Sequence, residues 1–188
     1  VKKQRYAAYA AIVPRDERTT MTITIQRERP DAPDATQLIL ELDALLTPLY
    51  AVESRHGYSV QKLIDQGVEF FVVRCDDVAA ACGGVQFFVD DPVLPYGELK
   101  RMYVRPSFRG QGLAKWLLRH FEAITLERGI HTLRLETGIH QGEAIQLYES
   151  SGYYRIDPFG SYKVDPVSLC YEKKLYSDSQ AEQSMRPI

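Results

Sequence analysis

The sequence predicts an α/β domain on a mixed sheet, mostly antiparallel with one parallel strand pair. Three observations carry this. A strictly alternating run, T-I-T-I-Q-R-E, opens after Met21, and period-two alternation is the mark of a half-buried strand. Three apolar runs follow in succession, Val68–Cys75, Val78–Val89 and Glu98–Val104, separated only by turn residues, which is the pattern of an antiparallel meander. Then Glu98–Glu136 reads strand, helix, strand, a passage long enough for the crossover that joins parallel neighbours.

In chain order, residues 1–20 show little periodicity and are expected to form an N-terminal arm of uncertain order, with the domain proper over 21–176. After the first strand, Leu38, Leu42, Leu45, Leu46 and Leu49 recur at three- and four-residue steps, predicting an amphipathic helix from Asp34 to Tyr50. Asp34 is the expected N-cap, its carboxylate accepting from first-turn amides. A shorter helix is expected over Ser59–Gln66, stopped by Gly67. In the meander, Asp76–Asp77 makes a tight turn and D-D-P-V-L-P-Y-G a longer, proline-punctuated loop. Leu113, Trp116, Leu117, His120, Phe121, Ile124 and Leu126 give the stripe of a long helix ending at Gly129. The strand T-L-R-L-E, a helix over Gln141–Ser150, and strands near Tyr153–Ile156 and Ser168–Leu175 complete the domain, before a polar tail over 177–188.

Composition narrows the function classes. With 45% apolar and 26% charged residues in 188, the chain buries roughly 70% of its unfolded surface in one core without metal or disulfide staples. A net charge of −2 argues against a nucleic-acid binder, which needs a basic surplus to displace counterions. No apolar run reaches about 18 residues, so no membrane span is expected, and the N-terminal stretch is too interrupted for a signal peptide. Cys75, Cys82 and Cys170 form no CxxC pair, and read as buried thiols of a cytoplasmic protein. His56, His120, His131 and His140 lack ligand spacing, so no metal is expected.

The chemistry concentrates in E-L-K-R-M-Y-V-R-P-S-F-R-G-Q-G-L-A. A strand ends at Val104, a short loop carries Arg109, Gly110, Gln111 and Gly112, and a helix starts at once. Helix starts present unpaired amides and a positive dipole end, and glycine admits a ligand close to the backbone. The loop is therefore either a phosphate cradle or a turn that merely needs glycine. It is neither a Walker A loop nor G-x-G-x-x-G.

Here the sequence resembles the GNAT superfamily of acyl-CoA-dependent N-acyltransferases. Its [QR]-x-x-G-x-[GA] signature is matched by Arg109, Gly112 and Ala114, after an Arg105–Pro106 turn. Its fourth-helix pattern A-x-x-L-Y-x-x-x-G-[FY] is matched by Ala144, Leu147, Tyr148, Gly152 and Tyr153. The resemblance spans about Met21 to Tyr176. It implies helices on both faces of the sheet and acetyl-CoA as co-substrate. The amides of Arg109, Gly110, Gln111, Gly112, Leu113 and Ala114 would take the pyrophosphate. Met102, Tyr103 and Val104 would hold the pantetheine arm, in a gap between the Glu98–Val104 and Thr132–Glu136 strands. Gln141 stands where many relatives carry a CoA-contacting Asn. Tyr148 matches the general acid toward the leaving thiolate, and Glu98 the base of several relatives. On the residues alone, Tyr148 also fits aromatic packing, and Glu98 a surface carboxylate paired with Lys100.

The reaction requires a base because a primary amine with pKa of roughly 10 is protonated at neutral pH. A backbone amide near Met102 or Tyr103 is the expected donor to the developing oxyanion. The acceptor is expected between A-V-E-S-R-H-G-Y-S and P-F-G-S-Y-K-V-D-P, where Arg55 and His56 suit a carboxylate, Glu53 an ammonium, and Tyr58 and Tyr162 the walls; each also fits an exposed loop. The expected activity is direct acetyl transfer to a small-molecule amine, an amino acid or related metabolite, and such folds commonly form homodimers. The competing readings are a non-catalytic acyl-CoA sensor and a protein or peptide N-acetyltransferase.

Overall fold

A computed structural model describes residues 9–16, 19–51 and 57–176. Its strands are β1 (Tyr9–Asp16), β2 (Thr19–Glu28), β3 (Glu69–Cys75), β4 (Val78–Phe88), β5 (Tyr96–Val104), β6 (Thr132–Gly138), β7 (Tyr154–Ile156) and β8 (Ser168–Lys174). Its helices are α1 (Pro33–Leu46), α2 (Val60–Asp65), α3 (Leu113–Glu127) and α4 (Gly142–Ser150). One sheet runs β1-β2-β3-β4-β5-β6-β8-β7, antiparallel throughout except for β5 and β6. The mixed α/β architecture with a parallel pair is thus as expected.

β3 shows why the sheet carries helices on both faces. Phe70 and Val72 pack with Leu38, Ile39 and Leu42 of α1 and Leu63 of α2. The alternate residues Phe71 and Val73 pack with Leu117, Phe121 and Ile124 of α3. A strand buried on both faces reads as a continuous apolar run rather than an alternating one, as F-F-V-V does. The Asp76–Asp77 turn has both residues at positive φ, the backbone of a type I′ hairpin.

Three expectations change. The N-terminal arm contains β1, paired along β2; its Pro14 breaks the strand signature, yet proline is tolerated on an edge strand. The first helix ends at Leu46, and Thr47–Leu49 is a separate tighter turn with Pro48 at its start. Asp34 is not its N-cap: Ala32 is, and Asp34 lies in the first turn, paired with Arg74 of β3 at 2.6 Å. Pro33 at the first helical position needs no capped amide there. Ser59, whose capping role the sequence reading does not single out, caps α2 by accepting from the Lys62 amide.

Two irregularities in β5 make the site. Pairing runs Cys82↔Tyr103 and Gly84↔Lys100, so Arg101 and Met102 stand opposite the single residue Gly83, a bulge. Arg101 takes the left-handed conformation, φ 56°, which is strained for a side chain of its size and persists only when its surroundings hold it. Its guanidinium supplies that hold, donating to the Tyr58 carbonyl and, at 2.6 Å, to Asp43 of α1. Opposite the bulge a Cβ on Gly83 would overlap Met102. The second irregularity is that β5 and β6 pair only at Gly97↔Leu133 and Glu98↔Arg134. Beyond that point the strands part.

Candidate active site

Two cavities occupy the parting and meet there. The larger, about 660 Å³, is a groove bounded by Met102, Tyr103 and Val104 of β5, the turn through Arg109, Gly110 and Gly112, the start of α3 at Leu113 and Ala114, and α4 with Gln141 before it. The smaller, about 140 Å³, is a chamber walled by Asp43 of α1, Tyr58, Leu99–Met102 of β5, Glu136–Gly138 of β6, and Tyr162. Met102, Gln141 and Tyr148 line both.

The groove has the build of an acyl-CoA cradle. Gly110 and Gly112 have φ of 76° and 78°, a region where glycine pays no steric penalty. Gly112 is the N-cap of α3 and no side chain caps the helix, so the first-turn amides and dipole end are left for an anion. Arg109 donates to the Val104 carbonyl at 3.2 Å and to Glu143 of α4 at 3.0 Å, tying the turn to the opposite wall. Leu45 and Leu49, apolar and partly exposed, line the same groove, where an apolar arm would cover them. Gln111 is exposed and off the wall.

Tyr148 sits at the junction, 5% exposed, with its ring edge-on to Tyr153. Burial, reinforced by the Glu136 charge, raises its phenol well above the ordinary tyrosine value, so it keeps its proton at neutral pH and is equipped to donate it.

Glu98 is not a surface residue. It is 3% exposed and off both walls. Its Oε1 accepts from Lys100 Nζ at 2.5 Å and from the Tyr162 hydroxyl at 2.6 Å, and Lys100 Nζ lies 3.1 Å from the same hydroxyl. Lys100 and Tyr162, which do line the chamber, stand between Glu98 and its interior. Lys100 also lies over the Tyr58 ring at 4.2 Å. Burial lowers its pKa, the Glu98 charge opposing that shift. Of the expected acceptor residues, Tyr58 and Tyr162 are brought together here; Glu53, Arg55 and His56 lie outside the described residues.

Sequence reasoning missed Glu136 and Asp43. Glu136 lines the chamber and accepts from the Ser168 hydroxyl at 2.7 Å. The T-L-R-L-E segment signalled a strand, but nothing in it shows that the neighbouring strand has parted to expose this residue. Among the described residues the chamber wall carries the carboxylates of Asp43 and Glu136 and the cations Lys100 and Arg101, with Arg101 paired to Asp43 and Lys100 to the buried Glu98 behind it. The thiols are elsewhere: Cys75, Cys82 and Cys170 are buried, form no disulfide among the described residues, and line neither cavity. Burial raises Cys82 and pushes Cys170 up to about 11, so neither is a thiolate nucleophile at neutral pH.

A groove with an anion-ready helix start, joined at a buried tyrosine to a chamber of charged and tyrosine side chains, is the arrangement expected of an acyl-CoA-dependent acyltransferase. The acetyltransferase (GNAT) family model matches residues 39–153, and the chain belongs to that family. It is 39% identical over 153 residues to an IAA acetyltransferase of Azospirillum brasilense, covering 81% of this chain and 98% of that protein. It is 36% identical to the uncharacterized N-acetyltransferase YedL of Escherichia coli K12, over 65% of this chain and 80% of that one. Among solved structures, a Klebsiella pneumoniae protein assigned as an acyl-CoA N-acyltransferase superposes with TM-score 0.68 at 35% identity, covering 82% of this chain and 98% of that one. A GNAT acetyltransferase of Elizabethkingia anophelis with acetyl-CoA bound shares the fold, with TM-score 0.57 at 18% identity over 81% of this chain and 98% of its own. No helix among the described residues is long and apolar enough to cross a membrane.

Proposed function

We propose that this acetyltransferase moves acetyl from acetyl-CoA to the amine of a small molecule, by direct attack within a ternary complex. The observation that carries the reading is the junction of the two cavities at Met102, Gln141 and Tyr148. A thioester laid along the groove presents its carbonyl where an amine in the chamber can reach it.

Each part has a role. The first-turn amides of α3 hold the pyrophosphate, and the β5 backbone from Met102 to Val104 runs beside the pantetheine arm. Glu136 and Asp43, the carboxylates on the chamber wall, meet the acceptor's ammonium. After deprotonation the nitrogen lone pair forms the N–C bond, the C–S bond breaks, and the departing sulfur takes the Tyr148 proton. The thiols of Cys82 and Cys170, kept protonated by burial, support direct transfer over an acetyl-cysteine intermediate, and fit a cytoplasmic setting.

A small acceptor is favoured over a peptide. The chamber is small and walled by α1, β5, β6, α4 and the Tyr162 loop, whereas peptide acceptors need an open groove or a free sheet edge.

Thermal unfolding with acetyl-CoA and desulfo-CoA is the first test. Either ligand at about 100 times its Kd should stabilise by roughly 2.7 kcal/mol, and release of free CoA thiol on adding a small amine then shows catalysis. Stabilisation without turnover over a broad amine panel that includes peptides would instead favour the acyl-CoA sensor.

A further inference from the structure

The base expected from the sequence is buried behind the chamber rather than on its wall, which leaves open how it exchanges a proton with an acceptor. The geometry points to Tyr162 as a proton relay between the acceptor amine and Glu98, with Lys100 holding the two in register. This inference rests on the amine-acceptor reading above.

Tyr162 belongs to the loop between β7 and β8, and its side chain lines the chamber. Its hydroxyl donates to Glu98 Oε1 at 2.6 Å and lies 3.1 Å from Lys100 Nζ, which itself reaches the same Oε1 at 2.5 Å. The three polar ends form a closed triangle with one carboxylate oxygen at its inner corner. A phenol placed so can accept a proton at oxygen while passing its own to the carboxylate. The step balances without a co-reactant. The acceptor ammonium gives one proton to the Tyr162 oxygen, the Tyr162 hydroxyl proton passes to Glu98, and the amine is left with the lone pair that attacks. Breaking the C–S bond removes the Tyr148 proton, and the nitrogen's surplus proton restores it. Glu98 later loses its proton to water, so each turnover releases one.

The charges around the triangle suit this direction. Lys100 and Arg101 on β5 are cations that disfavour a second cation close by, and so lower the acceptor's pKa. Glu136 on β6 and Asp43 on α1 offset that repulsion when the ammonium enters. Tyr58, packed under Lys100, completes the wall, and Tyr148 faces the chamber from α4. Burial and then the Glu98 charge hold the Tyr162 phenol far above its usual value. It therefore transmits a proton without itself resting as phenolate.

The test uses the full chain with acetyl-CoA and two kinds of acceptor: alkyl ammoniums (the free amino acids, ethanolamine, benzylamine) and hydroxylamine, which is already neutral at pH 7 and needs no base. Tyr162→Phe and Glu98→Gln should each lower kcat at least 10-fold with the alkyl ammoniums and recover as pH rises. Both should keep the wild-type acetyl-CoA affinity and nearly the wild-type rate with hydroxylamine. Combining them should cost no more than the worse single variant. Equal losses on hydroxylamine, multiplicative losses in the double variant, or an unchanged pH profile in Tyr162→Phe would overturn the relay. So would a Glu136→Gln enzyme that alone loses the pH limb, which would move the base to β6. A wild-type protein that binds acetyl-CoA yet acetylates none of these amines would overturn the amine-acceptor reading, and the relay with it.

Discussion

Glu98 and Lys100 lie two residues apart on β5, on one face of the strand, with the ammonium 2.5 Å from the carboxylate and both side chains buried. The period of a strand puts them side by side, and the desolvated pair holds only while both charges are present. Lys100→Met leaves a carboxylate buried without a cation, and should destabilise the protein by about 3–5 kcal/mol. Adding Glu98→Gln should return most of that loss, because the orphaned charge is gone. Urea unfolding of the two single variants and the double variant measures it; additive losses would mean that the pair does not act as a unit.

Tyr148→Phe removes a proton donor and little volume. Acetyl-CoA should bind as before, while kcat falls by roughly 100-fold. Because burial first, and the Glu136 charge second, raise the wild-type phenol, deprotonation of Tyr148 should produce no fall in activity up to pH 10. A Tyr148→Phe enzyme with unchanged kcat would leave this residue as packing against Tyr153 and nothing more.

Gly112 carries φ 78° at the N-cap of α3. Gly112→Val forces a branched side chain into the left-handed region, at a cost of about 1–2 kcal/mol, and projects it into the groove that Gly112 lines. The expected result is at least a 10-fold weaker acetyl-CoA Kd by calorimetry, with Tm reduced only modestly. Unchanged affinity would remove this turn from the binding site.

Gly138 closes the chamber from β6, and a Cβ there would overlap the Tyr50 ring, whose hydroxyl accepts from the His140 amide. Gly138→Ala should push Tyr50 aside and raise the acceptor KM several-fold while sparing acetyl-CoA affinity. A change in acetyl-CoA affinity alone would place Gly138 on the groove side instead.

Acid should weaken the fold through Glu172 and Glu41. Burial alone would raise Glu172, but hydrogen bonds from Tyr154, Lys174 and Arg134 together outweigh it, so its pKa falls below the usual 4.5. Glu41 is lowered chiefly by its bonds to Arg105. A carboxyl whose folded pKa is lowered contributes stability above its unfolded pKa, and that contribution is lost as pH falls through the folded value. Tm should therefore be level from neutral pH down to about 4.5 and drop below it. Glu172→Gln should be less stable at pH 7 and show a shallower drop; a drop of wild-type steepness would locate the acid sensitivity elsewhere.

Local chemistry was legible without coordinates. The β3–β5 meander, the stripe of α3, the short helix after Ser59 and the glycine turn before α3 depend on residue spacing and on φ values that only certain residues adopt, and all stand where the sequence places them. β1 is not legible because Pro14 interrupts the strand signature, and Asp34 is no cap because its partner, Arg74, is forty residues away on β3. The chamber was the least legible part. Tyr162 and Tyr58 were named as walls, but their convergence on Lys100 depends on a loop folding back over β5.

The sequence by itself therefore determined the alternation of strands and helices, the anion-ready start of α3 and the identity of Tyr148, because each is encoded within a few adjacent residues. Only the tertiary structure decided which carboxylates line the chamber. Glu98 looks exposed by its charge and is buried; Glu136 looks like an ordinary strand residue and lines the chamber. The difference arises because β5 bulges at Arg101 and parts from β6, and that depends on contacts from α1 and the segment before α2 that no local pattern records.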